Sequence, residues 1–408
     1  MKKNFTLFIL LGVITVFLFN RCDKSVDPVI DSSIVPQYDI VWESLADSPW
    51  PMFHHDPQST GRSKYRGPQN GIIEKKVYVG MMDGGISIGR GGKIYLCQLT
   101  RRSFNSLDYS GNLVWKLDEI WSSSTPLLAN GNIYIAGVDS FRCFSENGEM
   151  LWGRNNRRTI CVSPAVDKNG NLYYIDIYRK LYVYDKDGNK LWEMVDERFL
   201  RNDDVAPSFS PDGNTLYIQG ETVSVLALDI NSKTIKWTFG DKMLRSSPVI
   251  DNAGNIYIIP EGYAHWGEKT IYSLYPSGNI RWEFKFGGEI VMDNTEPTID
   301  YNGNLYFGND TLFSLTNNGD LRWKRFLDSA LVYSPLISDN ENTVYVGAVT
   351  RSGYNTAFAY TEKGERKWKI EDSTKNENSM GVSPAISETG LIFYPTWNNY
   401  KGNYYIIK

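Results

Sequence analysis

Histidine and cysteine are scarce in this chain. Three histidines and four cysteines are spread over 408 residues, no two cysteines are adjacent, and neither CxxC nor CxxCH occurs. Thiol-redox motifs, zinc ribbons and c-type haem attachment sites need those spacings and are excluded. Charge of one sign is lacking as well. The 43 basic and 47 acidic residues leave a net −4 at pH 7, which gives no field to attract nucleic acid. The long apolar stretch, Phe5 to Phe19, is too short for a comfortable membrane span. It follows Lys2 and Lys3 and reads as an export signal.

Glycine and aromatic residues are abundant. Thirty-five glycines and 14% aromatics, with 41% hydrophobic residues overall, suit a β-rich fold with many turns and a substantial core. A unit seen in "SSPVIDNAGNIYII" (Ser246–Ile259) recurs around Pro126, Pro164, Pro207, Pro248, Pro297, Pro335 and Pro384, and a copy without proline, "GGISIGRGGKIYLC", precedes them. A second motif, as in "SGNLVW" and "NGEMLW", interleaves with it and ends at Trp115, Trp152, Trp192, Trp237, Trp282, Trp323 and Trp368, 37 to 45 residues apart. A period near 40 with four short strands per repeat predicts a β-propeller. Strand A follows Ser-Pro, strand B carries the Tyr of GNxY, strand C is a run such as "KLYVYD", and strand D carries the Trp.

Eight A–B units but seven Trp strands predict an all-β, eight-bladed propeller of four-stranded antiparallel blades. Its ring is closed by an N-terminal strand at about 72–79 pairing with the last blade, with Lys75 at the tryptophan position. The domain reading is an export segment at 1–22, a linker at 23–47, a capping segment at 48–70 lying across the propeller as a cap or clasp, and the propeller at 71–408.

Two resemblances follow from these residues. Cys22, at the end of the signal, resembles the lipidated cysteine of bacterial lipoproteins, although Arg21 stands where that pattern has a small residue. Ordinary cleavage or an uncleaved anchor would also export the chain. The repeats, with the lead-in "SPWPMFHHDPQSTGRSKYRGP", resemble the quinoprotein-like (PQQ-like) propeller family across residues 48–408. That family includes quinone-dependent dehydrogenases and non-catalytic members such as the assembly lipoprotein BamB. Fold is implied more firmly than activity. The dehydrogenases carry vicinal cysteines against the quinone and a Glu/Asn/Asp calcium set beside a catalytic Asp. No Cys-Cys occurs here, and Asp204 and Glu296 match no such motif. No catalytic residue, cofactor or metal is therefore assigned.

The repeated tryptophans and GNxY tyrosines read as packing. The turn Asp185–Asn189 and its relatives at Asp167, Asp251 and Asp300 read as hairpins, since the further ligands of a calcium loop are missing. His54 and His55 read as packing or capping residues. Cys97, Cys143 and Cys161 read as buried thiols, with one disulfide as the alternative. Ser163, Asp204 and Ser247 would lie near the channel mouth and suit a small polar ligand or water.

Loop length supplies the functional clue. The A–B and C–D turns are tight, whereas the B–C and D–A loops vary and share the opposite face. Variable loops on a rigid scaffold carry binding, and aromatic and Arg residues are favoured anchors. The candidate binding face comprises Tyr263, His265, Trp266, Tyr354, Trp397 and Tyr400, with Arg157, Arg158, Arg198 and Arg201. The expected function is non-enzymatic binding or scaffolding in the bacterial envelope, BamB-like protein assembly being one form. The chain would act as a monomer held at a membrane through Cys22. A carbohydrate or surface-polymer binder and a quinone-dependent oxidoreductase are the alternatives.

Overall fold

The computed structural model describes residues 35–82, 84–155, 162–201, 205–260, 269–287, 296–372, 382–396 and 402–408. They form eight antiparallel sheets, each a blade. In blade 4 the strands are Ser208–Phe209, Thr215–Gln219, Val225–Asp229 and Thr234–Phe239, in spatial order A-B-C-D. The A strands of blades 4 and 5, and of blades 6 and 7, approach one another around the centre. Strands A and B are almost wholly buried, whereas strand D alternates exposed and half-buried residues. This is the pattern of a sheet packed inside and wetted at its outer edge. Blade 7 adds a short strand, Ala330–Val332, beside strand A on the same partner.

The A–B turn explains the repeated D-x-x-G-N-x-Y. Asp251 Oδ1 accepts the amides of Ala253 and Asn255 at 2.9 and 2.8 Å, and Oδ2 accepts Asn255 Nδ2 and the Tyr257 hydroxyl, both at 2.8 Å. The same net recurs at Asp167 and Asp300. Each carboxylate is consumed by its own hairpin, so these are turns.

The tryptophans join blades. Trp115, Trp152, Trp237, Trp282, Trp323 and Trp368 each donate their indole N–H across the blade boundary. The acceptors are carbonyls of Glu146, Lys186, Pro276, Asn317, Glu362 and Pro68, at 2.8–3.2 Å. In the five pairs from Trp115 to Trp323 that lie on C–D turns, a turn glycine sits against the ring. A Cβ on Gly364 would stand 2.6 Å from Trp323. Blade 4 has "NSKT" in place of that turn, and Trp192 meets Lys233 Nζ instead, 5.7 Å from the ring centroid.

Ring closure follows the sequence expectation. Ile73–Tyr78 pairs antiparallel with Asn403–Ile407 as strand D of blade 8. Lys75, in place of tryptophan, reaches the next blade as an indole would, its Nζ donating to Ser110 O at 2.6 Å. No helix among the described residues is long and apolar enough to cross a membrane.

Candidate functional site

The two faces of the ring differ. The turn face is covered by the lead-in. Val35 and Gln37 bond to Asn302 and Tyr301 in blade 6, and Ser44 donates to Asp167 O in blade 3. Residues from Trp50 to Arg62 then enter the channel. Trp50, Met52 and His54 have no exposed surface, and Phe53 and Arg62 retain 3% and 2%. Phe53 packs on Leu200, Val205 and Ala206, which lead into blade 4 from the loop side. His54 Nε2 lies 2.9 Å from Leu336 O in blade 7. Burial holds the His54 imidazole below its usual range, so it is neutral. Asp56 organises the plug, accepting the amides of Gln58 and Thr60 and the Thr60 hydroxyl. His55 is 8% exposed and packs edge-on against Trp50, their ring centroids 4.8 Å apart, so both lead-in histidines pack.

The channel mouth on the loop side is a ring of inter-blade caps. Gly85 N donates to Thr125 Oγ1 at 2.7 Å, Thr125 N to Ser163 Oγ at 2.9 Å, Ala206 N to Ser247 Oγ at 3.2 Å and Ser247 N to Glu296 Oε1 at 3.2 Å. Ser163 and Ser247, considered for a small polar ligand, thus cap neighbouring backbones. Asp204 lies outside the described residues.

A quinone with calcium can be tested against this geometry. The chain's own Met52, Phe53 and His54 are buried in the channel, Phe53 against the residues that enter strand A of blade 4. Among the described residues no three His, Cys, Asp or Glu side chains converge on a metal position. The described residues thus offer no calcium set of the kind those dehydrogenases carry.

Of the candidate binding residues, Tyr263, His265, Trp266, Trp397, Tyr400, Arg157 and Arg158 lie outside the described residues, as do Cys22 and Cys161. Tyr354 closes the blade 7 hairpin, its amide donating to Thr350 Oγ1 at 2.9 Å. Arg198 and Arg201 both lie beside blades 3 and 4, in separate ion pairs, and both are engaged. Arg198 holds Asp196 through two nitrogens at 2.8 and 2.6 Å, and Arg201 holds Glu221 through two at 2.9 and 2.7 Å. Arg179 adds contacts to Glu221 at 2.8 Å and Glu197 at 2.5 Å. The Arg201 hydrogen bond, aided by Arg179, holds the Glu221 carboxyl down to about 2 against an upward push from burial that ranks second to Arg201. Tyr178 stands beside this network, 57% exposed. Sequence reasoning missed Tyr178, Arg179 and Glu221. They sit in short B–C connections, "IYRK" and "GET", that have no length to draw notice.

Cys97 and Cys143 are buried free thiols, and burial pushes Cys143 up to about 12. No disulfide joins them.

Comparison with known proteins sets this geometry in context. A family profile described as outer membrane protein assembly factor BamB matches residues 101–238, 140–283 and 267–396, overlapping spans that run from 101 to 396. No curated protein matches the chain. Among solved structures, the quinohemoprotein alcohol dehydrogenase from Comamonas testosteroni superposes with a TM-score of 0.64 at 11% identity, covering 90% of this chain and 81% of that one. BamB from Moraxella catarrhalis gives 0.58 at 10% identity, covering 82% and 97%. A europium-containing methanol dehydrogenase gives 0.60 at 11% identity, covering 87% and 90%. At these identities the likeness establishes the eight-bladed fold and leaves activity open.

Proposed function

The chain belongs to the family described as outer membrane protein assembly factor BamB, and from that premise we propose that it is a non-enzymatic binding and scaffolding propeller of the cell envelope. It works as a monomer tethered through lipidated Cys22, and its loop face captures an envelope protein. The observation that carries this reading is the channel filled by Trp50–Arg62. A centre occupied by the chain itself supports recognition through the variable loops.

The test is crosslinking in native envelope membranes, comparing wild type with Trp266→Ala, Trp397→Ala and Tyr354→Ala. A discrete protein partner captured by wild type and lost in these variants, with unfolding unchanged, supports the proposal. Equal capture by all four proteins removes the loop face from it. Retention of wild type on an envelope glycan, lost on Trp→Ala substitution, would favour the carbohydrate alternative. Reduction of a redox dye with added quinone, calcium and an alcohol or sugar would overturn the non-enzymatic assignment.

A further inference from the structure

The channel wall contains a regular feature that the lead-in satisfies. Strand A is the inner edge of every blade, and an edge strand presents unpaired amides and carbonyls. In six blades the amide of the second residue of strand A donates to the lead-in or pairs with it. Ile88 bonds to Trp50 O at 2.8 Å, Leu128 to Pro51 O at 2.7 Å, Phe209 to Pro57 O at 2.7 Å, Ile250 to Gln58 O at 2.9 Å, Ile299 to Thr60 O at 3.2 Å and Ser338 to Gly61 O at 2.8 Å. The acceptors run in chain order while the donors run in ring order through blades 1, 2, 4, 5, 6 and 7. Thirteen residues therefore trace the inside of the ring, one carbonyl to each of six blades. A buried amide left without that carbonyl is costly.

The path requires special backbone. His54, His55, Ser59 and Gly61 all have positive φ, between 51° and 80°, which lets the segment step from one blade to the next. At Gly61 a Cβ would overlap the His54 ring and stand 2.8 Å from Leu336 O. The outer closure is thinner. In Ile73–Tyr78 only Val77 is buried, while Glu74, Lys75, Lys76 and Tyr78 are exposed. Beyond its backbone ladder to one blade, that strand adds the buried Val77 and two lysine contacts, Lys75 to Ser110 O and Lys76 to Asp372.

We propose that residues 50–62 are the internal clasp of the ring. Their seating in the channel, more than the outer pairing of Ile73–Tyr78, holds the eight blades closed, and they unseat as one unit. The channel is thus a built receptor for an extended peptide, and its occupant is this chain's own lead-in.

Native-state hydrogen exchange on the full chain tests this directly. In wild type the amides of Ile88, Leu128, Phe209, Ile250, Ile299 and Ser338 should share one opening equilibrium within about threefold. Gly61→Ala should speed all six by a common factor of at least tenfold. Val77→Ala, which loosens the outer strand, should speed amides of 73–78 and 403–407 and leave the six within about threefold of wild type. Should Gly61→Ala fail to fold, the wild-type comparison and Val77→Ala still decide. Six unrelated opening equilibria in wild type, or a Val77→Ala effect on the six of tenfold or more, would overturn the proposal.

Discussion

The Trp–Gly contact between blades 6 and 7 can be isolated by two alanine substitutions with matched backbones. Gly364 and Gly131 both sit in left-handed turns, at φ +77° and +74°. Alanine in that region costs about 1–2 kcal/mol per residue, offset by about 0.4–1 kcal/mol from a less flexible unfolded chain. Gly131 has nothing within 4 Å of an added Cβ, whereas on Gly364 that atom would stand 2.6 Å from Trp323. Trp323 is fully buried, and its indole donates to Glu362 O at 2.8 Å. Making room forces the ring off its rotamer, at about 0.5–1.5 kcal/mol, and strains a hydrogen bond worth about 0.5–1.5 kcal/mol. Overpacking raises the total, so Gly364→Ala should lose about 2–4 kcal/mol more than Gly131→Ala. An unfolding entropy of about 2.1 cal/mol/K per residue over residues 71–408 comes to about 0.7 kcal/mol/K, which converts this to about 3–6 °C in Tm. Thermal unfolding followed by far-UV circular dichroism at one scan rate measures the difference. Equal Tm values for the two variants would refute the claim that the turn glycine is there for the neighbouring tryptophan.

Other outcomes follow from single contacts. Tyr257→Phe removes a hydroxyl that donates to Asp251 and accepts Asn317 Nδ2 at 2.8 Å, and urea unfolding should show a loss of about 1.5–3 kcal/mol. Tyr95→Phe is the contrast. That hydroxyl is buried with no hydrogen-bond partner among the described residues, so its removal should be neutral or slightly stabilising, and a loss above about 1 kcal/mol would contradict the structure. Glu221 is held near 2 from an ordinary 4.5, so its folded form resists protonation. The stability it contributes is full above about pH 4.5 and is lost as pH falls towards 2. Because Arg201 is nearly half exposed, solvent screening leaves the contribution well below what the full shift would imply. Glu221→Gln should narrow its gap to wild type across that acid window in urea titrations, and a gap that does not change with pH would exclude the ion pairs as its source.

Much of the fold was legible because its signals are local. D-x-x-G-N-x-Y announces a hairpin through one carboxylate and one positive-φ glycine, all within seven residues; it is complete at Asp167, Asp251 and Asp300, and looser versions mark the other A–B turns. The tryptophan spacing counted seven D strands, and the missing eighth had to come from the N-terminal side. The candidate site was less legible. Arg198 and Arg201 were chosen as available cations in long loops. Their partners Asp196 and Glu221 lie 2 and 20 positions away, and only the folded loops show that both guanidinium groups are engaged. Ser163 and Ser247 lie near the channel mouth as the sequence suggests, but their hydroxyls are engaged with the backbone of the preceding blade.

By itself, the sequence determined the number of blades, the order of strands, the turns and the outer ring closure, because each rests on a short motif or a count. Tertiary structure alone decided what occupies the centre. Nothing in "WPMFHHDPQSTGR" states that its carbonyls will meet six equivalent amides contributed by residues from 88 to 338. Those amides become a single surface only when the strands that carry them are brought round a common axis.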